Sequence, residues 1–224
     1  MLHQLVLPLI ALLLGLPDGP PDPQLLKAEA LTNVIRSTHV VHEPPDADHK
    51  AWLDLFLHEA LVQAEERHID PLIPLTVAQH ESHFRFWARS PSEEYCGMFQ
   101  QAARYSLDPP LPPIGASATR CAGLGYTEGQ CRKLNRRCRD VEVCRQECDR
   151  LTNPAEFQYI VETHFRYLEG IRARHGDILS NICHYQGGLY RPCGEHALGY
   201  QERHLGHRTV VERIWQRARL AVQL

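Results

Sequence analysis

The chain has 224 residues, 43% of them hydrophobic, and a formal net charge of -3. That length suffices for one compact domain of up to about 200 residues with terminal extensions. The slightly acidic balance lacks the basic footprint of a nucleic-acid-binding domain, so no nucleic-acid partner is expected.

Leu5 to Leu16 form a nearly unbroken apolar run. It falls short of the roughly 20 residues that cross a bilayer, but it suits the core of an export signal. Pro8 and Pro17 argue against a buried helix here. No stable transmembrane span is expected beyond this signal. Residues 17–24 (PDGPPDPQ) read as a Pro-rich linker that cannot be helical. Residues 1–24 are therefore set apart from a single folded domain, 25–224.

Within that domain, residues 25–41 are helix-compatible, and the break His42–Asp48 precedes a helix over about 48–68. There Trp52, Leu53, Leu55, Phe56, Ala60, Leu61 and Ala64 recur at helical spacing. Asp70-Pro71 opens the next helix, which runs through Leu75, Val77 and Ala78 to Glu81. Residues 85–117 show little periodicity and end in the Pro-rich stretch Asp108–Pro113. A segment over about 118–150 holds five of the eight cysteines and the basic residues Arg132, Lys133, Arg136, Arg137 and Arg139. It reads as a disulfide-stapled surface insertion with solvated charges. Asn153-Pro154 starts a further helix carrying Phe157, Ile160, Val161, Phe165 and Leu168. A shorter helix follows from Asp177 to about Tyr185, broken by Gly187-Gly188, and a last one spans about 206–222. No stretch reads as a strand. The expected fold class is mainly α, one domain, with an irregular cysteine-rich insertion.

Eight cysteines behind an export signal read as a disulfide framework in an oxidising compartment, hence a periplasmic or secreted protein. A structural zinc site needs closely spaced ligand pairs, and no Cys-x-x-Cys occurs. His80 and His83 bracket Glu81, but the metalloprotease pattern requires histidines four apart, and these are three apart. Neither a metal nor another cofactor is expected.

The chemistry centres on Glu81. It shares the inward stripe of Val77 and Ala78 and is followed by Phe84, Phe86 and Trp87. Apolar surroundings disfavour a carboxylate and raise its pKa, which is what protonating a glycosidic oxygen near neutral pH requires.

Residues 77–100 read VAQHESHFRFWARSPSEEYCGMFQ. This resembles the Glu-Ser-x-Phe, Ser-Pro and Gly-Leu-Met-Gln blocks of the soluble lytic transglycosylases, carried here by Glu81-Ser82-His83-Phe84, Ser90-Pro91 and Gly97-Met98-Phe99-Gln100. Downstream, Asn153-Pro154 and Phe165-Arg166-Tyr167-Leu168 resemble the next family helix, with its Ala-Arg-Tyr-Leu. His184-Tyr185-Gln186-Gly187-Gly188 resembles the Ala-Tyr-Asn-Ala-Gly motif. The likeness covers roughly 70–220. The chain departs from the pattern in its long cysteine-rich connection, about 105–150, and in Gln186 where the family has Asn.

The resemblance implies a lysozyme-like transglycosylase domain acting on peptidoglycan glycan strands. Glu81 would protonate the oxygen bridging MurNAc and GlcNAc, then take the proton of the sugar's own C6 hydroxyl, leaving a 1,6-anhydro end without consuming water. The substrate's N-acetyl group would help stabilise the cationic transition state. Ser90 and Tyr185 would sit beside the acid. Gln100 and Gln186 would hydrogen-bond the sugar, and Met98 and Phe99 would wall the cleft. Two alternatives stay open: a hydrolase using water activated by Glu93 or Glu94, and a wall-binding or assembly protein without activity. Cys183 and Cys193 flank the Gly187-Gly188 turn and are expected to close it. The other six cysteines then pair among Cys96 and the insertion, tethering it beside the active-site loop.

Overall fold

The computed structural model describes residues 22–38, 49–108, 110–187 and 192–223. The apolar run Leu5–Leu16 and the break His42–Asp48 lie outside them. The protein is mainly helical, as expected. Helix α1 spans Pro23–Thr38, α2 His49–Glu66 and α3 Leu72–Ser82. The expectation that residues 17–24 exclude helix fails at its end, because Pro23 is the first residue of α1. A proline there forfeits no helical hydrogen bond, and Asp22 caps the turn by accepting from the Gln24 amide at 2.8 Å.

Buried positions recurring every three to four residues explain how the helices meet. On α2, Leu53, Phe56, Leu57, Ala60, Leu61 and Ala64 are buried, and the helix packs on α1 and on α8 (Phe157–His175). Arg67, just past α2, is ion-paired with Glu162 and Glu169 of α8, and Arg172 donates to its carbonyl at 2.9 Å.

The last helix, α10, runs Glu195–Gln223, beginning eleven residues before the expected start at 206. Ala197, Tyr200, His204, Val211, Ile214 and Ala218 form its buried stripe. The early half of that stripe carries Tyr and His where aliphatic residues are usual, so hydrophobic periodicity misses it. α10 packs on α1, on α3 and on the short α9 (Cys183–Gly187). Arg208 fastens it to the entry of α3 through Asp70 at 2.8 Å. Among the described residues, no helix is long and apolar enough to cross a membrane.

Between α3 and α8 the chain makes a two-residue hairpin, β1 (Tyr95–Cys96) and β2 (Gln101–Ala102), with Tyr95 opposite Ala102 and Cys96 opposite Gln101. Then come α4 (Ala103–Ser106), α5 (Ala118–Gly123), α6 (Glu128–Leu134), a 3-10 turn at Cys138–Asp140 and α7 (Glu142–Leu151). Disulfides hold this segment together: Cys121–Cys131 joins α5 to α6, Cys138–Cys144 joins the turn to α7, and Cys96–Cys148 ties α7 to β1. Cys183–Cys193 closes the loop after α9, as expected. Four disulfides fit an oxidising environment. Cys96–Cys148 closes the longest loop, with a sequence separation of 52, and a cross-link of that span contributes about 4 kcal/mol in the chain-entropy picture.

A buried arginine does the rest of the tethering. Arg104 of α4, 2% exposed, donates to the carbonyls of Pro112 (2.8 Å), Leu134 (3.0 Å) and Arg136. Its charge is met by Glu94 at 3.5 Å, whose other oxygen accepts from the Cys138 amide at 2.6 Å. Removing any one member strands a desolvated partner.

Candidate active site

Glu81 sits in the last turn of α3, half-buried, with Val77 and Ala78 beneath it in the core. Burial pushes its carboxyl up to about 7. The C-terminal end of a helix acts in the same sense, since its dipole disfavours a negative charge. Two groups oppose the rise: the hydroxyl of Tyr200 and, less strongly, the charge of Arg203, both on α10. The Tyr200 hydroxyl is buried and faces this carboxyl without the geometry of a formed hydrogen bond. Contacts of this kind are often long without substrate and tighten when it binds.

The helix ends here by force. His83 and Phe84 both take left-handed backbone conformations, with φ of 54° and 61°. Their amides return to Gln79 and Ala78 carbonyls at 3.2 and 3.3 Å, closing the helix in the manner of a Schellman cap. Glu93 and Gln100 also have positive φ, 57° and 46°. Non-glycine residues in this region each cost of order 1–3 kcal/mol, and such strain collects at functional sites. Phe84 turns back into the core, 1% exposed.

Tyrosines surround the carboxyl. The titrations of Tyr95, Tyr185 and Tyr200 are all raised, by burial first and then in part by the charge of Glu81. Tyr185 and Tyr200 lie in parallel at 6.2 Å, and Tyr167 stands edge-on to Tyr185 at 5.5 Å. Tyr95 and Tyr105 are 50% and 55% exposed, so an aromatic surface opens to solvent beside the acid. Tyr200 and Tyr95 escape sequence reading. The first lies in a stretch not recognised as helix, and the second is one of eight tyrosines with no distinguishing spacing.

Tyr185, expected beside Glu81, is brought there and locked. Its hydroxyl donates to the Phe99 carbonyl at 2.8 Å and accepts from His164 Nδ1 at 3.1 Å. A carbonyl can only accept, so the single phenolic proton goes to Phe99 and the His164 proton sits on Nδ1. The other nitrogen, Nε2, is a buried lone pair without a partner. Full burial holds His164 neutral, its pKa lowered to about 3. The imidazole stacks on Phe99 at 3.5 Å, 9° from parallel.

The remaining expected residues take different places. Met98 and Phe99 are sealed in the core at 0% and 1% exposure, so they support the site from beneath and show no surface to a ligand. Gln100 spends its amide nitrogen on the Ala88 and Gly97 carbonyls at 3.1 and 3.0 Å. Ser90 is half-buried and accepts from the Tyr95 amide at 3.1 Å, closing the loop that presents Tyr95. Gln186 is exposed at the end of α9. Gly97 is required: with φ at 79°, a Cβ there would lie 2.2 Å from the Leu151 carbonyl oxygen.

Glu93 and Glu94, the candidates for a second carboxylate, are both engaged. Glu94 holds Arg104 and the Cys138 amide, and Glu93 pairs with Arg89 at 3.6 Å. Among the described residues, Cys183, His184 and Cys193 bring three potential metal-ligand atoms together, but the two sulfurs are bonded to each other.

No family model, curated protein or solved structure matches this chain.

Proposed function

We propose that this protein is a lytic transglycosylase of lysozyme-like fold that cleaves the MurNAc–GlcNAc bond of peptidoglycan, with Glu81 as its single acid and base, in the periplasm or outside the cell. The observation that carries this reading is a carboxyl raised to about 7, at a strained helix end, beside an exposed aromatic surface. Aromatic faces suit the apolar faces of sugar rings, and a carboxyl poised near neutrality serves both proton transfers.

In the first step Glu81 gives its proton to the bridging oxygen as that bond breaks and positive charge develops at C1. In the second, the resulting carboxylate takes the proton of the C6 hydroxyl while that oxygen bonds to C1. The acid is regenerated, and one bond has formed for one broken. Tyr200 faces the carboxyl with a hydroxyl that favours the anion, so its stabilisation grows between the two steps. Tyr185 is held too firmly by Phe99 and His164 to donate elsewhere, and it shapes the pocket. Because Glu93 and Glu94 are tied into the loop and insertion, the one-carboxylate route fits better than hydrolysis by an activated water.

Mass spectrometry of soluble products from purified peptidoglycan tests this. Muropeptides ending in 1,6-anhydro-MurNAc, lost in Glu81→Gln, are expected. Reducing ends heavier by one water would replace this reading with a hydrolase, and sugar binding without products would replace it with a wall-binding protein.

A further inference from the structure

The core does not need an imidazole at position 164. His164 lies on α8, fully buried, and stacks on the Phe99 ring at 3.5 Å. Of its two nitrogens, Nε2 has no hydrogen-bond partner, and Nδ1 bonds the Tyr185 hydroxyl at 3.1 Å. A buried polar atom left without a partner costs stability, and a leucine would fill much the same volume without that cost. Nor does Tyr185 need His164 as an acceptor, because its own proton goes to the Phe99 carbonyl at 2.8 Å. Packing and hydrogen-bond satisfaction therefore both favour an apolar residue here.

What the imidazole supplies is a second point of attachment. Tyr185 belongs to α9, which spans only five residues, Cys183–Gly187. So short a helix has too few internal bonds to hold its own orientation. It is fastened from outside by the Cys183–Cys193 disulfide, by the Tyr167 hydroxyl on the His184 carbonyl at 3.0 Å, and by the two bonds of Tyr185. A single bond to Phe99 sets a distance and lets the phenol swing. A second, from the long helix α8, stops the swing. The ring so fixed lies parallel to Tyr200 at 6.2 Å, and Tyr200 packs on His80, the neighbour of Glu81, at 4.5 Å.

We propose that His164 is a positioning residue of the site: the bond from its Nδ1 fixes the Tyr185 ring against Tyr200, and with it the wall that aligns the sugar beside Glu81. The inference rests on the peptidoglycan reading above and deepens it. His164 is held at this position for turnover and against stability, so replacing it should move the two in opposite directions.

Three substitutions in the full chain test this: His164→Leu, His164→Asn and Tyr185→Phe. Each is followed by its urea midpoint and by the rate of 1,6-anhydro product release from peptidoglycan. His164→Leu should unfold at no lower urea concentration than the native chain, yet lose about tenfold in kcat with KM nearly unchanged. Asn places an amide N–H close to where Nδ1 stood. His164→Asn should therefore recover most of the rate, although the cavity it leaves lowers the midpoint. In the Tyr185→Phe background, His164→Leu should have no further effect on the rate. A residue serving packing alone would give the reverse order, with activity following stability. That order, a Leu variant of full rate, or equal losses from His164→Leu with and without the Tyr185 hydroxyl overturns the inference. Imidazole nitrogen NMR needs no substrate: the His164 proton should sit on Nδ1 and shift to Nε2 in Tyr185→Phe. An Nε2 proton in the native chain overturns the role of His164 and leaves the peptidoglycan reading standing. A native chain with the Nδ1 proton but no 1,6-anhydro product overturns the peptidoglycan reading, and the role of His164 falls with it.

Discussion

The hydroxyl of Tyr200, on the last helix, faces the carboxyl of Glu81, at the end of the third, and partly offsets the effect of burial on it. The pair couples two segments 119 residues apart (200 less 81), and it makes the packing of α10 on α3 a determinant of the acid's strength.

Replacing Tyr200 with Phe removes the group that favours the carboxylate, so the Glu81 pKa should rise further. The alkaline limb of the pH–rate profile for 1,6-anhydro product release should move to higher pH. The rate at its optimum should fall about 10–100-fold, the scale of one lost hydrogen bond to a charged group. An unmoved limb would remove Tyr200 from any role in setting the acid.

Glu81 should cost the protein stability in alkali. Its folded pKa, about 7, lies above the unfolded value, so the protonated carboxyl favours folding at low pH. That contribution is lost as pH rises through about 7. Glu81→Gln should therefore unfold at higher urea concentration than the native chain at pH 8, by up to about 3 kcal/mol, and by much less at pH 5. Equal gains at both pH values would point to packing and away from the charge.

His204 works in the opposite direction. It is fully buried, neither ring nitrogen has a hydrogen-bond partner, and burial lowers its pKa to about 3. Its folded pKa lies below the unfolded value, so the stability it allows is present above about pH 6.5 and is lost as pH falls toward 3. His204→Leu should be near neutral in stability at pH 7 and stabilising by about 2–3 kcal/mol at pH 4.5. Paired urea titrations at the two values check this. His80 and His164 impose the same acid sensitivity, so the variant should lessen it without abolishing it.

Gly97→Ala puts a methyl group against the Leu151 carbonyl at a positive φ. A loss of about 2–4 kcal/mol is expected from strain and forced movement combined, read as a lower midpoint in thermal unfolding. Product release should fall as well, because the turn carries the Phe99 carbonyl that holds Tyr185. Gly129→Ala is the control, since a Cβ there meets nothing within 4 Å.

Much of this molecule follows from local pattern. The apolar repeat along α2, the Asp-Pro start before α3, the Asn153 cap and the even cysteine count each act over a few residues, and each corresponds to an element or bond in the structure. A carboxyl on the apolar stripe of α3 is legible for the same reason, since helical spacing alone places Glu81 above Val77 and Ala78. What lies across the fold is not legible. The first eleven residues of α10 are held in the helix by a face of Tyr200, His204 and Ala197 that is buried only because α3 and α9 cover it. Arg104 and Glu94 look like surface charges until the insertion folds over them. Met98 and Phe99 resemble a cleft wall in the motif, yet both are sunk in the core, Phe99 between His164 and Phe56. The strength of the acid itself depends on Tyr200 and Arg203, brought to Glu81 from more than a hundred residues away. Burial and electric fields act through space, and sequence spacing reports them only within a single helix or turn.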